Sequence, residues 1–251
     1  LNIDPLEFRM KNASREGTRR VDGDQFECIG MQETVEAIKN SEHWNTPLER
    51  SNQGRGVASG FWFNCGLRSS VTATLNIDGT VSLIEGCTDI GGSRASIAMQ
   101  LAETLGIAAE DVKPSVVDTD SVGYSDVTGG SRITYATGLA AHRAGLDMQR
   151  RLTERAAEIW DVKADEVRYE DAKILGPNGH STSFKELAAT VSSSGDPLTS
   201  YGASGKENPA GAFGTHCVDV EVDPETGKVT VLRYTIAQDC GTAIHPAYVE
   251  G

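Results

Sequence analysis

Two stretches of the chain set glycine, serine and arginine at the mouth of what reads as a helix. The first is GCTDIGGSRASIAMQLAETLG, Gly86 to Gly106, and the second is TGGSRITYATGLAAHRAG, Thr128 to Gly145. The tetrapeptide Gly-Gly-Ser-Arg recurs at an offset of 38 residues, from Gly91 to Gly129. A helix N-terminus carries unpaired N–H groups and partial positive charge. Glycines before it let the backbone approach a bound group closely. Ser93 and Ser131 are placed to cap a helix or donate to an oxygen, and Arg94 and Arg132 to pair with a phosphate or a carboxylate. Each stretch therefore reads either as an anion cradle or as an ordinary turn with a serine N-cap. Neither is a Walker loop, because no Gly-Lys-Ser/Thr ending follows, and neither has the GxGxxG of a dinucleotide fingerprint.

Other reactive residue types form weaker patterns. Asp118, Asp120 and Asp126 share one loop, where acidic residues serve turns or hold a divalent cation. His216 and His245 have no ligand partner nearby in sequence. No G-x-S-x-G elbow occurs. The five cysteines, Cys28, Cys65, Cys87, Cys217 and Cys240, form no CxxC pair, so neither a zinc site nor an iron–sulfur cluster is indicated. Scattered free thiols fit a reducing cytoplasm. A net charge of -13 repels phosphate backbones and argues against nucleic acid as a partner. No run approaches the ~18 apolar residues of a membrane span.

The elements that must position the two turns follow from periodicity. Asp4 and Pro5 open a short helix to Asn12, and residues 29–43 carry a second amphipathic pattern. Residues 13–27 and 46–56 read as polar connections, and 57–63 as a strand. Val71, Ala73, Leu75 and Ile77 alternate, Asp78-Gly79 turns the chain, and Val81 and Leu83 resume. This hairpin runs straight into the first glycine turn. Ile97, Ala98, Leu101, Ala102 and Leu105 then form an apolar helical stripe that Gly106 ends. Residues 112–118 read as a strand and 131–158 as a long Ala-rich helix. Gly138 and Gly145 interrupt that helix, and close packing against a neighbour is the expected compensation. Short strands at 167–169 and 173–175 and a helix at 184–190 follow. Residues 192–214, rich in turn formers, read as a surface excursion. A second hairpin spans 217–233. The fold class is α+β, with antiparallel or mixed sheets and helices packed on one face.

The chain starts at Leu1 without a methionine and stops in HPAYVEG, so it reads as an internal piece of a longer protein. Residues 1–50 are expected to be a helical linker from a preceding domain, and 51–251 one α+β region.

Five phrases carry a family resemblance: NIDPLEFRMKN, GRGVASGFW, GCTDIGGSRASIAMQLAETLGI, TGGSRITYATGLA and, the most specific, VDVEVDPETGKVTVLRYTIAQDCGTAIHPAYVEG. Together they resemble the molybdopterin-binding large subunit of the xanthine dehydrogenase, aldehyde oxidase and carbon monoxide dehydrogenase family. The resemblance implies that both glycine turns wrap one long anionic cofactor, molybdopterin, in its plain or cytosine dinucleotide form. It places Asp89, Gly91, Gly92, Ser93 and Arg94 on one cofactor loop and Thr128, Gly129, Gly130, Ser131 and Arg132 on the other. The family's first loop carries a glutamine that reaches the metal. Here Gly92 takes that position and Ser93 follows it. The resemblance further implies oxidative hydroxylation of an aldehyde, an N-heterocycle or a related small molecule. Iron–sulfur and FAD subunits or domains would act as electron partners, and the catalytic base would lie on a segment outside these residues. The isolated stretch is then expected to lack the cofactor and to be inactive. A reading of a different class stands beside it: a non-catalytic α+β module that binds a phosphate or nucleotide or serves subunit assembly.

Overall fold

The computed structural model describes residues 1–205, 207 and 210–251. In chain order the helices are α1 (Pro5–Asn12), α2 (Met31–Lys39), α3 (Glu42–Asn45), α4 (Ser93–Leu105), α5 (Ile133–Trp160), α6 (Phe184–Ser193) and α7 (Pro246–Glu250). The strands are β1 (Gln53–Trp62), β2 (Ser69–Leu75), β3 (Val81–Glu85), β4 (Val112–Val116), β5 (Arg168–Glu170), β6 (Lys173–Leu175), β7 (Ser181–Ser183), β8 (Thr199–Ser204), β9 (Ala212–Val222) and β10 (Val229–Asp239).

The chain divides into two compact units, Leu1–Asn64 with Ala210–Thr242, and Cys65–Pro209 with Ala243–Gly251. The expected boundary at residue 50 differs from this division, for a physical reason. Leu6, Val35 and Ile38 of the first helices bury themselves against Cys217 of β9, so residues 1–50 belong to the core of the first unit. That unit is an antiparallel sheet in the order β1-β9-β10. Asp4 caps α1 by accepting the N–H groups of Leu6 and Glu7, both at 2.9 Å. The second hairpin is the β9–β10 pair, with a bulge between Val231 and Arg233.

The second unit holds a four-stranded sheet in the order β4-β3-β2-β8. The first hairpin is its β2–β3 pair, and β3 runs parallel to β4 with α4 as the crossover between them. Val71, Ala73, Leu75, Val81 and Leu83 share one buried core with α4 and α5. A small sheet, β5-β6-β7, and α6 complete the unit. Ser183 and Glu186 form a reciprocal capping box at the start of α6.

The surface excursion expected over 192–214 is a correction. Its middle is the strand β8, in which Ser200, Gly202 and Ser204 are buried. Its small polar residues are there for room: a Cβ on Gly202 would lie 2.0 Å from the carbonyl oxygen of Ala140. Long helix α5 lies directly on that strand. Lys206, Asn208 and Pro209, from the same stretch, lie outside the described residues.

Candidate cofactor-binding site

Helices α4 and α5 run parallel and side by side. The Gln100 amide donates to the Thr134 carbonyl at 3.0 Å, and Thr104 Oγ1 meets His142 Nδ1 at 2.9 Å. A Cβ on Gly138 would lie 2.2 Å from the Gln100 amide, and one on Gly145 would lie 2.7 Å from Thr104 Cγ2. The two glycines inside α5 therefore let the helices approach. Gln100 faces Gly138 and Thr104 faces His142, each pair 38 residues apart, the same offset as the two Gly-Gly-Ser-Arg turns. Parallel helices in that register begin at the same end, so the turns are neighbours. Contacts at the helix heads agree. Arg132 Nη1 lies 3.7 Å from Cys87 Sγ, and the Thr137 hydroxyl lies 3.2 Å from the same sulfur.

The first turn is organised by Asp89. One of its carboxylate oxygens accepts from the N–H of Gly91 at 3.1 Å and of Ser93 at 3.0 Å, and from the Ser93 hydroxyl at 3.0 Å. The other accepts from Arg94 Nε at 2.7 Å. Arg94, followed by these amides and the hydroxyl, holds the Asp89 carboxyl far below the usual carboxylate range. Gly92, at φ +88°, is the residue before the helix, and Ser93 is already its first residue. Asp89 thus does the capping that the sequence assigned to Ser93. These donors make an oxyanion cradle, and the protein's own carboxylate uses it.

Gly92 is also the seat of α7. A Cβ there would lie 2.3 Å from Tyr248 Cε2, inside van der Waals contact. The Tyr248 ring stacks on His245 at 3.8 Å between centroids, and His245 Nδ1 is buried without a hydrogen-bond partner. A side chain at position 92 would meet the Tyr248 ring.

The second turn has the same letters and a different build. Gly129 faces open space, and the Gly130 carbonyl accepts the Cys65 N–H at 3.0 Å. Ser131 adopts φ +55°, a left-handed backbone that costs a non-glycine residue of order 1 kcal/mol or more. Arg132, not Ser131, is the residue before α5, and no side chain caps that helix. The expectation that the Arg132 guanidinium faces a ligand is corrected: it is fully buried. It donates to the carbonyls of Gly66 at 3.2 Å, Asp126 at 3.0 Å and Val127 at 3.3 Å, and also to the Arg68 carbonyl and the Ser69 hydroxyl. It ties Thr128 and its neighbours to the strand β2. Arg94, its counterpart, is half-exposed.

One residue of the site escaped the sequence reading. Glu85 ends β3 at a core-facing position, in line with Val81 and Leu83, and is fully buried. Its Oε2 accepts the Cys87 N–H at 3.2 Å, and its Oε1 has no partner. Burial pushes its carboxyl up to about 7. A charged residue on the buried phase of an alternating strand was the available signal.

The remaining candidates have ordinary roles. Asp118 accepts the Asp120 N–H at 2.9 Å within its turn, and Asp126 accepts from the Arg68 N–H and the Tyr124 hydroxyl, each at 2.7 Å. Among the described residues one group has the spacing of metal ligands, His43, Cys217 and Asp219. Arg55 grips Asp219 with two bonds, at 2.7 and 2.8 Å, while His43 Nε2 lies 3.1 Å from the same carboxylate. The cluster is a closed ion pair with its charge already met. Burial raises the Cys217 thiol, which leaves it a poor nucleophile. Among the described residues no helix is long and apolar enough to cross a membrane.

A family model described as a molybdopterin cofactor-binding domain matches residues 28–251. The chain is 28% identical, over its whole length, to the xanthine dehydrogenase molybdenum-binding subunit of Escherichia coli O157:H7, and covers 36% of that protein. It is 26% identical to the nicotine 6-hydroxylase large subunit of Paenarthrobacter nicotinovorans, covering 35% of it. Among solved structures, the quinoline 2-oxidoreductase of Pseudomonas putida 86 superposes with a TM-score of 0.81 at 20% identity, over all of this chain and 36% of that one. The chain thus spans about a third of the length of these relatives. A matched region of that extent, with two helix heads brought together as an oxyanion cradle, places the chain in the molybdopterin cofactor-binding domain family.

Proposed function

We propose that the chain is the cofactor-cradling part of a molybdenum hydroxylase large subunit. The observation that carries this reading is the pairing of two parallel helix heads in register, with oxyanion donors, inside a region that matches a molybdopterin-binding family. Asp89, Gly91, Gly92, Ser93 and Arg94 would hold one end of the ligand's phosphate-bearing tail, and Thr128, Gly129, Gly130 and Ser131 the other. Arg132 would act from below by fixing the second turn. The donor set fits a phosphate: amides, a hydroxyl and a guanidinium converge on one oxygen-rich group. Asp89 must yield its donors when a phosphate takes them, and Arg94 would then change partner.

When bound, the cofactor would supply the oxidation, the transfer of a water-derived oxygen to the substrate carbon. This chain's residues bind it, orient it and, through Tyr248 on Gly92, close one side of the first turn. The cytosine dinucleotide form is part of the proposal, since two separate turns suit an elongated anion. So are iron–sulfur and FAD partners, a cytoplasmic location and a substrate among aldehydes, N-heterocycles or carbon monoxide. The catalytic base would be supplied from outside these residues.

Metal analysis and release of a fluorescent pterin on oxidation test the reading in the full-length subunit. Molybdenum and pterin in equimolar amounts with protein are expected, and their loss on changing Gly91 and Gly129 to valine. A subunit that purifies folded with neither, from cells that make the cofactor, would sink it. The 251-residue chain alone is expected to turn over no aldehyde or purine with a dye as acceptor.

A further inference from the structure

Among the described residues, Glu85 is the one fully buried carboxyl of the second unit with an oxygen that has no hydrogen-bond partner. It stands directly beneath the first turn, one residue before Gly86, and its single hydrogen bond holds the Cys87 N–H at 3.2 Å. The strands beside it offer no charge: Val71 of β2 and Val116 of β4 are its register partners. The charged groups acting on it come from the turn and the helix heads, Asp89 and Arg94 on one side and Arg132 on the other. Arg132 is spent on carbonyl oxygens and on Ser69, and makes no bond to Glu85. Arg94 is spent on Asp89. The charge in the turn that opposes ionisation of Glu85 is that of Asp89.

We propose that Glu85 is a positioning residue that keeps its proton while the turn above it holds an anion, so that anion occupancy of the turn and protonation of Glu85 are linked. Two negative charges across one short turn repel, and the burial of Glu85 keeps water from screening its side of the pair. One carboxyl of the pair is accordingly ionised and capped by donors, and the other is neutral. A neutral Glu85 accepts the Cys87 N–H and leaves the turn's field positive toward its anion. An ionised Glu85 would oppose the anion and pull on Cys87, and so would open the turn. Burial already pushes Glu85 up to about 7, so the linkage falls in the neutral range. The anion is Asp89 in the present arrangement. On the cofactor reading, on which this second half rests, it is a phosphate in the place of Asp89.

The test is carboxyl NMR of the full 251-residue chain labelled with 13C at glutamate side chains, with Glu85→Gln to identify the Glu85 signal. Glu85 should titrate near neutral pH. Asp89→Asn, which keeps the shape of the cap and removes its charge, should lower that midpoint by on the order of half a pH unit or more. Sulfate, which has no proton to lose in this range, should then raise it again in the Asp89→Asn protein. In the wild type, sulfate affinity read at the Gly91 and Ser93 amides should weaken with rising pH. In Glu85→Gln it should stay flat, with the fold retained. A Glu85 signal titrating in the ordinary carboxylate range, or one indifferent to Asp89→Asn, overturns the proposal. A midpoint that moves with Asp89→Asn but ignores sulfate supports the linkage and overturns the cofactor reading of this turn.

Discussion

Replacing Arg132 with alanine should unfold the second unit far more easily than the same change at Arg94, although the two residues end identical tetrapeptides. Arg132 is fully buried and donates to four backbone carbonyls, those of Gly66, Arg68, Asp126 and Val127, and to the Ser69 hydroxyl. Truncation removes a donor from each of these acceptors and opens a cavity of guanidinium size. At ~1 kcal/mol for each buried hydrogen bond lost, less what entering water restores, the loss is about 3–5 kcal/mol. Arg94 is half-exposed and paired with one carboxylate whose other donors remain, so its loss costs about 0.5 kcal/mol. Urea unfolding separates the cases. Trp160 lies in the second unit while Trp44 and Trp62 lie in the first, so phenylalanine at 44 and 62 leaves a single reporter. With a slope of about 2 kcal/mol per molar urea, Arg132→Ala should move the midpoint down by roughly 2 M and Arg94→Ala by only a few tenths. Arg132→Lys keeps the charge but not the planar fork, and should fall between them. Midpoints for the two alanine variants that agree within about 0.5 M would refute the inward role of Arg132.

Other expectations follow from single positions. Glu85 rises from 4.5 to about 7 on folding, so the folded state binds the extra proton, and stability falls as pH climbs through that window. The fall should be about 3 kcal/mol relative to Glu85→Gln, with parallel curves above pH 7; parallel curves throughout would count against a buried proton. Gly202→Ala should cost at least 2–3 kcal/mol, because its Cβ would meet the Ala140 carbonyl at 2.0 Å and push α5 off the sheet. Gly54→Ala, in a strand with nothing within 4 Å, should be neutral or slightly stabilising, and thermal melts of the two variants decide it. Sulfate should raise the melting temperature of Asp89→Asn more than that of the wild type, since Asp89 no longer fills the cradle; equal shifts would place the anion elsewhere.

Elements with strong period or punctuation were legible in the sequence. Both hairpins, α4 with its Gly106 stop, and the packing role of Gly138 and Gly145 all follow from local pattern. The strand β8 did not, because its buried positions are Ser200, Gly202 and Ser204, chosen for space beneath α5 rather than for hydrophobicity. The two tetrapeptides were visible as a repeat, but not the divergence of their arginines. That depends on where a pocket of four carbonyls and a hydroxyl forms from residues 66–69 and 126–127, a tertiary fact with no local signature. Asp89 as cap in place of Ser93 was similarly hidden, since either residue type serves. Glu85 had a signal, a charge on the inward phase of a strand, and its meaning depended on what lies above it.

The first unit is assembled from two distant stretches of chain, and this shapes how it can be made. Among the described strands, β1 pairs with β9, with Gln53 opposite Glu221, 168 positions along the chain. A ribosome releasing the chain from its N-terminus delivers β1 long before that neighbour exists. During the interval β1 has both edges unpaired, and it ends in the aromatic run Phe61, Trp62 and Phe63. Meanwhile the sheet and helices between Cys65 and Ser204 are complete and contain nearly all their own partners, so they can close as a unit. Closing the first unit is then a late, long-range event, slow by its topology. A nascent chain stalled before residue 212 would hold the second unit without α7 and an orphan strand, the species most apt to pair wrongly or to need a chaperone.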